Sequence, residues 1–108
     1  MLLGARANAS GKPAEEVRRL SGLFQGHTLY HFQVSPYAWI VRRTLVKWGI
    51  PIPMRDILED PAAWKELVTQ GGKDQVPCLK IETPGAQTRW MYESRDIIAY
   101  LKQKSKQG

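Results

Sequence analysis

Residues 28–48, TLYHFQVSPYAWIVRRTLVKW, decide the fold. An alternating apolar run, Leu29, Tyr30, Phe32 and Val34, stops at Ser35-Pro36, and an amphipathic pattern follows at once. A period of two giving way to a period of 3.6 reads as a buried strand over Thr28–Val34 feeding a helix over Pro36–Trp48. Ser35 suits the helix cap, and Pro36 suits the first helical position, where no amide donor is needed. Backbone N–H groups and the positive end of the helix dipole therefore point at position 35. A thiol there would ionise easily, but this chain carries a hydroxyl. The inward stripe of the helix is expected at Tyr37, Ile40, Val41, Leu45 and Trp48, with Arg42, Arg43 and Lys47 outside. Gly49 is a well-placed terminator.

Working outward from this stretch, residues 1–12 are small and polar and read as a loose leader. From Pro13 to Phe24 the apolar positions Val17, Leu20 and Phe24 recur at helical spacing, and Gly26 closes that helix. Downstream, residues 50–57 (IPIPMRDI) form the next extended piece. Its two prolines lie on one edge, which only an edge strand accommodates. Asp60-Pro61 opens a second helix through Trp64, Leu67 and Val68 to Gly71-Gly72. Cys78–Glu82 and Arg89–Tyr92 are short strands around a Thr83-Pro84-Gly85 turn, hence a hairpin. The last helix carries Ile97, Ile98 and Leu101 inward, with Ser94 as its cap and Asp96 complementing its dipole. The order is β-α-β-α-β-β-α after a helical extension, an α/β fold on a four-stranded mixed sheet. The first two strands should be parallel with a right-handed crossover, and the last two antiparallel. Residues 1–26 read as leader and short helix, and residues 27–108 as the domain proper.

At 108 residues the chain makes one core. No apolar run approaches the ~20 residues that span a bilayer, so a membrane location is not expected. The apolar start is too short for a secretory signal, and with no address signal the cytoplasm is the default. The single cysteine, Cys78, rules out a disulfide scaffold. A net charge of +6 favours anionic partners. The basic residues are scattered and not interleaved with aromatics, so a solvated face that gathers a small anion is expected, not nucleic acid.

Three separated motifs now carry a resemblance. LYHFQVSPYAWIVRRTL is similar to the glutaredoxin active-site strand, turn and helix, where the turn normally reads Cys-Pro-Tyr-Cys or Cys-Pro-Phe-Cys. Gln75-Val76-Pro77-Cys78-Leu79 looks like the Val-Pro segment whose proline is cis in the thioredoxin superfamily. Tyr92-Glu93-Ser94-x-x-Ile97 resembles the Glu-Ser of glutathione transferases. Together they resemble the thioredoxin fold in its glutaredoxin form, shared with the N-terminal domain of glutathione transferases, from about Leu29 to Leu101. The resemblance implies glutathione as the ligand and disulfide-bearing or glutathionylated proteins as partners. It implies that Val76 offers its N–H and C=O to the cysteinyl backbone of glutathione, like an added strand. It further implies that Ser94 and its helix start receive the γ-glutamyl carboxylate, that Glu93 meets the α-ammonium, and that Pro36, Tyr37, Gln75 and Pro77 complete the groove. Gln33, Arg42 or Lys73 would reach the glycine carboxylate.

The chain departs from that family at the reacting atoms. Ser35 stands at the nucleophile position and Ala38 at the resolving position. Thiol–disulfide exchange needs a thiolate attacking sulfur, so neither residue supports it and glutaredoxin activity is expected to be abolished. Several origins fit: an enzyme with both thiols replaced, a natural redox-silent glutathione-binding module, or a serine-type transferase domain. In the last, the Ser35 hydroxyl would lower the thiol pKa of bound glutathione by donating to its thiolate. Plainer readings stand beside these. Ser35 is a good cap, Glu93 and Ser94 are good helix-start chemistry, and Cys78 is a small core residue. His27 and His31 fall on a strand with no second cysteine, so no metal site is expected.

Overall fold

The computed structural model describes residues 11–107. Residues 1–10 of the expected leader lie outside them. Helix α1 spans Ala14–Leu23, strand β1 His27–His31, helix α2 Pro36–Trp48 and strand β2 Met54–Asp56. Helix α3 (Pro61–Glu66) continues as a π-helical turn over Leu67–Gly71. Strands β3 (Cys78–Ile81) and β4 (Arg89–Met91) precede helix α4, Ser94–Ser105. The sheet order is β2-β1-β3-β4, with β2 parallel to β1 and the other neighbours antiparallel. This is the expected thioredoxin-type arrangement. Of the extended piece expected over residues 50–57, only Met54–Asp56 pairs as a strand; it sits at an edge, directly after the two prolines.

Successive residues of a strand face opposite sides, and here both sides are covered. Leu29, Leu79 and Ile81 pack with Leu20 and Phe24 of the α1 segment, Val41 and Leu45 of α2, and Ile97 and Leu101 of α4. On the other side Tyr30, Cys78 and Ile57 meet Ala63 and Leu67. Each buried Leu or Ile contributes roughly 1.5–3 kcal/mol of transfer free energy. The whole of β3 is buried: the hairpin expected at residues 78–92 supplies one of the two inner strands of the sheet and, in β4, an edge.

The local signals explain the element ends. Asp60 caps α3 by accepting from Ala62 N and Ala63 N. Gly49 closes α2 in the left-handed conformation, φ 65°, and Ile50 N donates to Leu45 O at 2.9 Å. Gly26 is dictated more sharply. Its φ is +75°, and a Cβ there would stand 2.2 Å from the backbone oxygen of Glu82.

Three expectations are corrected. The inward line of α2 is Ala38, Val41 and Leu45, whereas Tyr37 and Ile40 are exposed and Trp48 is only partly covered. The small Ala38 side chain lets the first turn lie close to the sheet, and that rotates its larger neighbours outward. Strand β1 stops at His31 instead of Val34, because the next carbonyls are bound by a side chain and by the turn rather than by a ladder. Ser94 is the first residue of α4 and not its cap; Glu93 occupies the cap position, with no side-chain cap bond.

Candidate functional site

The turn after β1 is built as its sequence dictates. Ser35 Oγ accepts from Ala38 N at 3.2 Å, Ser35 N donates to Phe32 O at 3.2 Å, and Trp39 N donates to Ser35 O at 2.9 Å. Ser35 is 5% exposed and Ala38 is fully buried, so the two positions expected to react or resolve form the base of the turn. Tyr37 projects from it, 64% exposed.

Facing Tyr37, the Val76–Pro77 peptide is cis. The π-helical turn and Gly72, at φ 88°, hand the chain to this loop. Gly71 packs so closely on β4 that a Cβ would meet Tyr92 Oη at 2.7 Å and the Trp90 ring at 2.9 Å. Val76 is half-buried, and among the described residues no backbone group pairs with its N–H or its C=O. Two polar backbone groups are thus left available beside an apolar wall.

The third component is the start of α4. Glu93 adopts φ 71°, ψ 112°, and is the one positive-φ non-glycine among the described residues. A residue held there costs about 1–3 kcal/mol and persists only where its surroundings over-determine it. Gln75 Nε2 donates to Glu93 Oε2 at 3.4 Å, joining the Val76 loop to the helix start. The first amides of α4 are directed outward with the positive dipole end behind them.

These parts enclose one open groove of about 460 Å³, lined by Tyr37, Gln75, Val76, Pro77, Glu93, Ser94 and Arg95. That volume falls in the ~300–1,000 Å³ range of small-molecule sites. The structure therefore brings together Tyr37, Gln75, Val76, Pro77, Glu93 and Ser94. Ser35, Pro36 and Ala38 support the turn from behind and do not line the groove. Arg95 joins the lining unanticipated, although its position directly after Ser94 in the first helical turn was a readable signal. None of Gln33, Arg42 and Lys73 lines the groove, and Arg42 is committed to the carbonyls of Phe32 and Gln33. Lys73 lies 5.1 Å from the Tyr92 ring.

Cys78 immediately follows the groove proline but belongs to the core. Burial pushes its thiol up to about 12, against which a hydrogen bond with Tyr92 and the charge of Lys73 act weakly. Among the described residues no group of three or more His, Cys, Asp or Glu side chains is placed to hold a metal ion, and no helix is long and apolar enough to cross a membrane.

Neither a curated protein nor a solved structure matches the chain. The family model described as glutathione S-transferase, N-terminal domain, matches residues 29–107, well over half of the sequence. That span begins in β1, ends beyond α4 and includes every residue lining the groove. The chain belongs to the glutathione S-transferase N-terminal domain family.

Proposed function

We propose that this domain binds glutathione in the groove between Tyr37, the Val76–Pro77 loop and the start of α4, and carries out no thiol–disulfide exchange of its own. The observation that carries the reading is the groove itself. A strained Glu93 and an unpaired Val76 backbone face one slot of tripeptide size. Val76 N–H and C=O suit the main chain of an extended peptide, paired as an added strand. Ser94 and the leading amides of α4 suit a carboxylate, with Arg95 beside them. Glu93 supplies the charge an α-ammonium needs, and Tyr37 walls the slot. The second half of the proposal rests on chemistry. No thiol stands at position 35 or 38, and Cys78 is buried with its pKa raised, so no group near the turn supplies a thiolate. Proteins carrying glutathione on a cysteine are the macromolecular ligands this groove would suit.

Titrating the protein with glutathione to several millimolar should move the amide resonances of Tyr37, Val76, Ser94 and Arg95 and leave those of α3 in place. Unmoved resonances would sink the proposal. Glu93→Gly provides an independent check. It relieves the ~1–3 kcal/mol of strain at a positive φ and adds ~0.5–1 kcal/mol of backbone entropy cost. The variant should be about 1 kcal/mol more stable in urea denaturation while binding glutathione several-fold more weakly. A less stable variant with unchanged affinity would contradict both roles assigned to Glu93.

A further inference from the structure

The carbonyls just beyond β1 are held by a side chain. Arg42 Nη1 donates to Phe32 O at 3.2 Å, and Nη2 donates to Gln33 O at 3.1 Å. The same Nη1 stands 3.2 Å from His31 Nδ1. A guanidinium only donates and stays protonated, so the ring nitrogen facing it must be a bare lone pair. With this contact made, His31 is neutral and carries its proton on Nε2. Gln33 is exposed and Val34 is 81% exposed, so apolar packing holds only the Phe32 end of this segment, against the Tyr30 cluster.

We propose that Arg42 and His31 form a proton-operated clamp that fixes the Phe32–Val34 segment and, through it, the Ser35 turn that carries Tyr37. When His31 takes a second proton, Nδ1 becomes a donor on a cation and turns a like charge toward Arg42. The contact is lost, and the Phe32 and Gln33 carbonyls lose their shared donor. Ser35 N, which donates to Phe32 O, then loses a fixed acceptor.

The groups facing His31 come from three directions: Arg42 on α2, Asp56 opposite it on β2, and Glu59 in the following loop. Burial, then the charge of Arg42, lowers its pKa, while Asp56 and Glu59 act the other way. The balance lies below the ordinary 6.5. A folded-state value below the unfolded one means the clamp is intact above pH 6.5 and is released as pH falls through the lowered value. His27 takes no part. It sits at the far end of β1, with Nδ1 2.9 Å from Gln25 O and Nε2 2.6 Å from Tyr100 Oη. Arg42 is a positioning residue and lies outside the groove lining. Its role stands independently of the glutathione proposal, so it is tested in ligand-free protein.

Amide and imidazole resonances should be followed from pH 8 to pH 5, with Ala63 in α3 as a reference that stays still. The Gln33, Val34 and Ser35 amides should shift together with the His31 ring in one step below pH 6.5. Arg42→Met keeps the aliphatic stem and removes the donors. At pH 8 it should already show the low-pH positions, with the Ser35 amide exchanging at least tenfold faster. His31→Asn places an acceptor near the Nδ1 site that gains no proton, and should flatten the pH response while keeping Ser35 protected. Wild-type amides that ignore the His31 titration would overturn the proposal, as would Arg42→Met amides at pH 8 matching the wild type. Should Arg42→Met fail to fold, the wild-type titration decides alone.

Discussion

Glu66→Ala should lower the stability of the domain by roughly 2–3 kcal/mol, less than the ~3–5 kcal/mol lost when a fully enclosed ion pair is broken. Glu66, at the end of α3, gathers three donors. Lys80 Nζ lies 2.6 Å from Oε2, Arg55 Nη1 lies 2.7 Å from Oε1, and the Tyr30 hydroxyl donates to Oε1. Lys80 sits on an inner strand with only 9% of its side chain exposed, its ammonium over the Trp90 ring at 5.3 Å. Removing the carboxylate leaves this ammonium with Glu82 at 3.6 Å, which is 54% exposed and a poor substitute. Arg55 keeps Asp60 at 3.1 Å and suffers less. Urea denaturation should show a lower midpoint with an unchanged slope, since the folded core is intact. Converting both partners to apolar residues, Glu66→Leu with Lys80→Met, should recover much of the loss, because no buried charge is then stranded. A single variant within 0.5 kcal/mol (roughly the scatter of neutral surface changes) would refute the assignment. The pH dependence has a definite sign. Burial raises the Glu66 pKa, but hydrogen bonds from Lys80 and Tyr30, then the charges of Lys80 and Arg55, outweigh it and hold it below the ordinary 4.5. Its contribution is therefore complete above that value and disappears as pH falls through the folded-state pKa, so wild type and Glu66→Ala converge in acid.

Ser35→Cys should create a reactive thiol where the native chain has none. The sulfur would take the place of an oxygen that already accepts from Ala38 N at the first turn of α2. Helix starts lower thiol pKa values from the usual ~8.5, and at position 35 this acts against the burial of a side chain that is 5% exposed. Cys78 serves as an internal control, being buried and pushed up to about 12. At pH 7 the difference in thiolate fraction alone favours the introduced thiol by a factor on the order of 10³. Incubation with oxidised glutathione followed by peptide mapping should find a single mixed disulfide, at position 35. It should not be resolved internally, since position 38 remains alanine. Equal labelling of the introduced thiol and Cys78 would show that the turn lacks the activating geometry read here.

Much of this architecture was legible because its signals are local. Ser35-Pro36 and Gly49 bracket α2, Asp60-Pro61 opens α3, and the paired prolines stand directly before the edge strand β2. Each is a property of a few adjacent residues acting on their own backbone. The inward face of α2 is hidden from a reading by size, which favours Tyr37 and Ile40, because the contact with the sheet requires the smaller Ala38. The early end of β1 was hidden for another reason. Arg42 competes for carbonyls ten and nine positions earlier in the chain, and no strand pattern registers a guanidinium. Glu66 and Lys80 are fourteen residues apart, and they meet only because the register pairs Lys80 with Thr28 and Trp90. The groove lining was legible at Tyr37, Gln75, Val76, Pro77, Glu93 and Ser94, but Ser35, Pro36 and Ala38 fall outside it and Arg95 joins it. The strained backbone of Glu93 was not legible, since nothing in a Glu-Ser dipeptide announces it.

The flanks of the sheet limit what can be stacked upon it. Both outer strands are three residues long, and one is entered through two imino acids that offer no donor. Neither offers a template on which copies could zip into a fibril. The unclaimed amide and carbonyl of Val76 lie apart from both flanks, with an imino acid next in the chain. A main chain bound as proposed for glutathione would therefore dock there once, over a single residue, with no ladder for a successor to extend.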